Sequence, residues 1–174
     1  QSDHLTLSSI TTTVHLGAHT DAPNHYAKNE TGISGCKLEP YLGRCQVITV
    51  DVDRGQRIQI EHLATEINAT RILFRTLTFP DPNNWNNDFA ALSAELVNFL
   101  ARQRVQLIGI DTPSVDLFAD KKLEAHNCIY RNRISILEGI ILDAIKDGFY
   151  ELIALPLNLK NADASPVRAV LRDL

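Results

Sequence analysis

The sequence predicts an α/β fold in which strands outnumber helices. Short β-branched runs closed by polar or Pro-containing segments, one run with helical spacing, and 174 residues without an internal repeat or a long Gly/Ser linker carry that expectation. In chain order, residues 5–16 are rich in Ile, Thr and Val and read as extended chain. Residues 46–52 and 71–77 are further short strands. Residues 89–104 put Leu92, Leu96, Phe99 and Leu100 at helical spacing, and residues 105–110 follow as a buried strand. Residues 123–131 read as a short helix, 134–142 as a strand or buried segment, and 150–159 as a strand interrupted by Pro156. Residues 1–174 read as one domain.

Composition narrows the functional classes. The 44% hydrophobic content can offset the ordering entropy that low-hydrophobicity chains cannot meet, which excludes a wholly disordered protein. With 17 Lys+Arg against 21 Asp+Glu there is no broad basic field, so neither nucleic acid nor an anionic membrane surface is the expected partner. Cys36, Cys45 and Cys128 are odd in number and form no CxxC, which disfavours a zinc ribbon or a fully paired disulfide framework and fits a reducing, cytoplasmic compartment. The most apolar stretch, residues 134–145, is broken by Glu138 and Asp143 and falls short of the roughly 20 residues a membrane span needs. The chain opens Gln1-Ser2-Asp3-His4, with neither an initiator Met nor a basic-then-apolar signal, so a lost upstream segment stays open.

The informative segment is His15-Leu-Gly-Ala-His19-Thr-Asp21-Ala-Pro-Asn-His25. The preceding Ile-Thr-Thr-Thr-Val and the following Pro23 argue for extended chain over helix. On an extended path His15, Gly17, His19 and Asp21 point to one side, with Val14 and Leu16 anchoring the other. Two imidazoles and a carboxylate suit zinc, with manganese as the alternative, and a three-ligand set leaves a position for water. An isolated His or Asp here would be a turn or core residue; four such groups in eleven residues favour a metal site. Downstream, Glu138 lies in an apolar run and needs a cation: a bound metal, or Arg131 or Arg133 in an ion pair, unless it sits on an exposed strand edge. His126, taken alone, reads as a solvated helix residue.

Together these residues resemble the bacterial kynurenine formamidases (arylformamidases) of the cyclase-like metal-dependent hydrolase family, over nearly the whole chain. The pattern His-x-Gly-[Thr/Ala]-His-x-Asp-x-Pro-x-His is matched from His15 to His25, and the later His and Glu by His126 and Glu138. Residues 38–45, 108–116, 136–139, 150–157 and 165–169 echo the formamidase branch. The resemblance implies a swivelling β/β/α domain, a strand-rich mixed sheet with flanking helices, a homodimer and two zinc ions per subunit. It implies that His15, His19 and Asp21 bind the first metal, that His126 binds the second, and that Asp21 and Glu138 touch both. His25 would be the proton donor and acceptor in hydrolysis of N-formyl-L-kynurenine to L-kynurenine and formate, a step of tryptophan breakdown, by metal-activated water. An imidazole changes charge near neutral pH and so can serve both transfers. The family's opening segment with a Trp-Pro element has no counterpart here, and Trp85, the only tryptophan, does not replace it.

Other residues carry less. Ser114 lacks the G-x-S-x-G elbow and reads as a turn residue. Asn29-Glu-Thr31 and Asn68-Ala-Thr70 match the glycosylation triplet by chance, His4 and His62 have no ligand neighbours at informative spacing, and Cys128 reads as a small buried apolar residue. Residues 81–87 are a polar loop around Trp85, a lid or a surface turn. Two rival functions stay open: opening of a cyclic amide such as isatin, and a metal-stabilised binding protein without turnover.

Overall fold

The computed structural model describes residues 4–174. The reading of the chain's opening falls partly on residues 1–3, which lie outside the described residues. Among these residues are ten strands and two α-helices: β1 (His19–Asp21), β2 (Leu42–Thr49), β3 (Arg57–Ile58), β4 (Arg71–Arg75), β5 (Ala91–Leu92), α1 (Ala94–Arg102), β6 (Leu107–Ile110), α2 (Glu124–Asn132), β7 (Ser135–Leu137), β8 (Gly148–Ile153), β9 (Ala164–Pro166) and β10 (Val170–Asp173).

A six-stranded sheet in the order β10-β8-β2-β4-β6-β7 forms the centre. β2, β4, β6 and β7 run parallel, while β8 is antiparallel to both β2 and β10. Side chains along these strands alternate between two apolar clusters, as a period of two requires. Ile48, Ile72, Phe74, Ile108, Ile110 and Ile136 face α1 and α2 in one cluster. Val47, Leu73, Leu107 and Leu137 face the other way, against Tyr41, Ile140, Leu142 and Leu152. Both faces are therefore covered, which explains the nearly continuous apolar runs in β4 and β6. Each such side chain, fully buried, contributes about 1.5–3 kcal/mol. The expected α/β class holds, with the helices and the β3–β5 pair on one face and the segments flanking the β1–β9 pair on the other.

Element boundaries depart from the sequence reading for local reasons. The helical spacing from residue 89 extends too far upstream, because Ala91–Leu92 pair in parallel with Arg57–Ile58 as a strand. Ser93 then starts α1, its hydroxyl accepting the Leu96 N–H at 3.1 Å. Residues 5–13 form no strand and are exposed, so the extended reading there found no pairing partner among the described residues. Gly17 has φ +59, so the chain reaches β1 through a bend, and Leu16 is exposed instead of anchoring. Alternation holds only within β1, where Thr20 turns away from its neighbours to donate to the Ile136 carbonyl at 2.6 Å.

Two stretches far apart in sequence meet at the end of β7. His19 N–H donates to the Glu138 carbonyl at 3.0 Å, and Glu138 N–H donates to the His19 carbonyl at 2.8 Å. The next residue, Gly139, has φ +65 and donates to the Thr112 carbonyl at 2.8 Å. A Cβ at Gly139 would lie 2.4 Å from the Gly17 carbonyl oxygen, so both the backbone angle and the close approach demand glycine. Gly139→Ala is expected to destabilise the protein by about 1–3 kcal/mol. Calorimetry should record a melting temperature several degrees lower; an unchanged value would refute the close approach.

Candidate metal centre

The site grows from the carboxyl ends of the parallel strands, the usual location of ligands in such sheets. Glu138 follows β7, the segment from Asp111 to Asp116 follows β6, and β1 is stitched beside them by the bridge to Glu138 and by pairing with β9. His126 enters from the first turn of α2. Thus His15, His19 and Asp21 converge with His126 and Glu138, and five of the six expected site residues form one cluster. The sixth, His25, stands at its rim, its ring 4.2 Å from that of His15 and 6.2 Å from that of His126.

The carboxylates divide their oxygens between two sides. Asp21 Oδ1 faces His15 Nδ1 at 3.1 Å and His19 Nε2 at 3.6 Å, while Oδ2 faces His126 Nε2 at 3.4 Å. Glu138 Oε2 faces His19 Nε2 at 3.1 Å, and Oε1 faces His126 Nε2 at 3.7 Å. Oε1 also accepts the Val115 N–H at 2.6 Å. No arginine pairs with Glu138 among the described residues, so neither the Arg131 nor the Arg133 alternative is realised. His126 is buried, which corrects its reading as a solvated helix residue.

Asp21 is the anomaly. It is 3% exposed, yet neither oxygen receives an aligned hydrogen bond despite the surrounding nitrogens. Asp116, buried equally deeply, shows how a buried carboxylate is ordinarily satisfied. Its oxygens accept from Arg57 Nη1 at 2.9 Å, from Ala125 N–H at 2.9 Å, and from the His126 backbone N–H at 3.0 Å and ring Nδ1–H at 2.8 Å. An unsatisfied buried carboxylate would be strongly destabilising, so Asp21 requires a cation that hydrogen bonds do not supply.

The donor set fits a divalent metal. A tetrahedral zinc with bonds of about 2.0–2.2 Å separates its ligand atoms by roughly 3.3–3.6 Å. The inter-ligand distances here, from 3.1 to 3.7 Å, bracket that range. The distal nitrogens of the histidines are also occupied. His19 Nδ1–H donates to the Gly17 carbonyl at 2.9 Å, which fixes Nε2 as the free lone pair, and His126 Nδ1–H donates to Asp116. His15 Nε2 lies 3.1 Å from Asp163 Oδ2.

Electrostatics follow from this packing. Burial opposes charge on His126, but Asp116 and Asp21 outweigh it and raise its pKa to about 10. The Asp21 carboxylate 3.1 Å away raises His15 to about 9 against the opposing desolvation. Burial pushes Asp21 up, yet His126 and His15 hold it below the usual carboxylate range. Asp116, Asp163, Arg57 and the Gly17 carbonyl were not assigned roles from sequence. Asp116 ends the stretch 108–116 without any local sign of pairing, and Asp163 is remote from His15 in the chain. The only signal was the general need of a ligating imidazole for an acceptor on its other nitrogen.

Beside the cluster opens a largely apolar pocket bounded by Leu77, Phe79, Trp85, Pro113 and Ile141, and reaching His15 and His19. The loop around Trp85 therefore contributes to a pocket wall, with the Trp85 ring 5.6 Å from Phe79 and 6.0 Å from Phe118.

The family model described as "Putative cyclase" matches residues 2–117. The chain is 48% identical to the kynurenine formamidase of Bordetella avium (strain 197N) over 97% of this chain and 81% of that protein. It is 46% identical to the kynurenine formamidase of Bordetella pertussis (strain Tohama I / ATCC BAA-589 / NCTC 13251), with the same two coverages, 97% and 81%. Among solved structures it is similar to one titled "The Structure Of Potential Metal-Dependent Hydrolase With Cyclase Activity", with a TM-score of 0.83, 25% identity, and 94% and 81% of the two chains covered. An isatin hydrolase bound to thioisatinate shares the fold at a TM-score of 0.73 and 21% identity, over 92% and 72% of the two chains. With its sequence pattern, its fold and its matches in agreement, this chain belongs to the cyclase family, alongside metal-dependent hydrolases and kynurenine formamidases.

Proposed function

We propose that this chain hydrolyses N-formyl-L-kynurenine to L-kynurenine and formate. The observation that carries the reading is buried Asp21, its oxygens without hydrogen bonds and surrounded by the nitrogens of His15, His19 and His126. His15, His19 and Asp21 would hold one divalent ion and His126 a second, with Asp21 and Glu138 serving both through their divided oxygens. Zinc suits this nitrogen and oxygen set, and manganese is the alternative. When bound, such ions lower the pKa of water towards about 7 and polarise an amide oxygen.

The chain's own residues supply the rest. The aromatic and apolar pocket wall accommodates an aryl group and excludes water around the scissile amide. His25, at the rim, would accept a proton from water and return it to the aryl-amine nitrogen, which is a poor leaving group until protonated. Exposed Leu16, Leu77, Trp85 and Ile141 at the pocket mouth are consistent with a second copy covering it, as a homodimer would. Three free cysteines, two of them buried, fit a reducing, cytoplasmic setting. No described helix is long and apolar enough to cross a membrane.

Formate release from N-formylkynurenine by the zinc-loaded protein is the direct test. Turnover of isatin with N-formylkynurenine left intact would replace the formamidase reading by a cyclic-amide hydrolase. Full zinc content with neither substrate consumed would make this a metal-stabilised binding protein.

His25→Ala is expected to retain bound zinc while losing about 100-fold or more in kcat. Asp21→Asn and Glu138→Gln are expected to deplete zinc, since an amide compensates a dication poorly. Elemental analysis beside the formate assay separates these outcomes, and zinc loss in His25→Ala would make that residue a ligand.

Protons and metal compete for the same rings. The raised pKa values of His15 and His126 stabilise the metal-free fold fully below their unfolded value of 6.5. That contribution is lost as pH rises through about 9 and 10. Chelator-treated protein should therefore melt progressively earlier from about pH 7 to 10, and zinc should abolish the decline. A flat profile in chelator would remove the ring–carboxylate coupling.

A further inference from the structure

Asp163 precedes β9, and pairing of β9 with β1 holds it beside the cluster. Its carbonyl accepts the Ala22 N–H at 2.9 Å, and the next residue, Ala164, stands opposite Asp21 in the register. From this fixed backbone one carboxylate oxygen, Oδ2, reaches two rings. It lies 3.1 Å from His15 Nε2 and 3.2 Å from His25 Nδ1. A carboxylate facing two imidazoles orders them when each presents an N–H. The remaining lone pairs are then His15 Nδ1, which lies 3.1 Å from Asp21 Oδ1 in the cluster, and His25 Nε2.

We propose that Asp163 is a positioning residue that sets the tautomers of His15 and His25 together, coupling the metal-facing nitrogen of one to the proton-accepting nitrogen of the other. The inference rests on the hydrolase reading for the role of His25. The structure itself supplies the shared oxygen. Asp116 on His126 and the Gly17 carbonyl on His19 do the same for the other two rings, but each of those acceptors serves a single ring. Among the described residues, Asp163 alone bridges a ring of the cluster to the ring at its rim.

The test uses zinc-loaded protein with ¹⁵N-labelled histidine, as parent, Asp163→Asn, Asp163→Ala, His25→Ala and the Asp163→Ala/His25→Ala double variant. Ring ¹⁵N shifts should report His25 as the Nδ1–H tautomer in the parent. They should move towards Nε2–H in Asp163→Ala, and less far in Asp163→Asn, whose amide oxygen still accepts. Zinc affinity should fall about tenfold to a hundredfold in Asp163→Ala, acting through His15. The kcat of Asp163→Ala should fall by a similar factor with KM nearly unchanged. Against His25→Ala, removal of Asp163 should lower kcat no further but should weaken zinc as before.

An unchanged His25 tautomer in both Asp163 variants overturns the proposal, as does a fully additive loss of kcat. One more zinc bound in the parent than in Asp163→Ala would also overturn it, by placing an ion between Asp163, His15 and His25 instead of hydrogen bonds. If no substrate turns over, the hydrolase reading fails, and the ¹⁵N shifts and zinc affinity still decide the role of Asp163.

Discussion

Two backbone hydrogen bonds between His19 and Glu138 join the early histidine segment to the end of the parallel sheet. Backbone bonds set the separation of the two stretches independently of any side chain, and the left-handed turn at Gly139 lets them approach to contact. From that junction His19 and Glu138 project inward with their reactive atoms 3.1 Å apart. The remaining donors are brought by neighbours of the junction: Asp21 by β1, and His126 by a helix packed on the adjacent sheet face.

Three of the buried carboxylates, those in and beside the cluster, are handled in different ways, and the difference locates the chemistry. Asp116 is saturated by an arginine, two backbone N–H groups and a ring, so it caps α2 and orients His126. Glu138 receives one backbone N–H and turns its other oxygen to His19. Asp21 receives none, while three imidazoles stand around it. A gradient from satisfied to unsatisfied negative charge is what a dication site requires, since full hydrogen bonding would compete with the ion for the same lone pairs.

The pocket extends the same logic outward. The loops after β6 and β7 that shape the cluster also carry Pro113 and Ile141 to the pocket wall, and the loop after β4 adds Leu77. Buried Asp111 secures one of these loops by accepting N–H bonds from Thr76 and Leu77, both at 2.8 Å, with Leu77 at φ +57. A left-handed leucine is strained, and its persistence here shows that the surrounding bonds outweigh that strain. The apolar wall and the charged centre are therefore held by one set of strand ends.

Local chemistry made the strand-rich α/β class, the core of α1, and the run from His15 to His25 legible from residues alone, because periodicity and ligand type are local properties. The reach of the first strand and the start of α1 were misread, since pairing partners decide whether β-branched residues form a strand and whether Leu92 belongs to a helix. His126 was ambiguous for the same reason: a histidine on a helix is solvated or buried according to what packs over it, and here Asp116 and Asp21 do. The carboxylate partners of the rings were invisible, as Asp163 and His15 are joined only through the pairing of β9 with β1. Residue types and spacing alone establish which donors are available and that they suit a divalent cation. Which oxygen faces which nitrogen emerges with the folded chain, because lone-pair direction is set by backbone register and not by residue order.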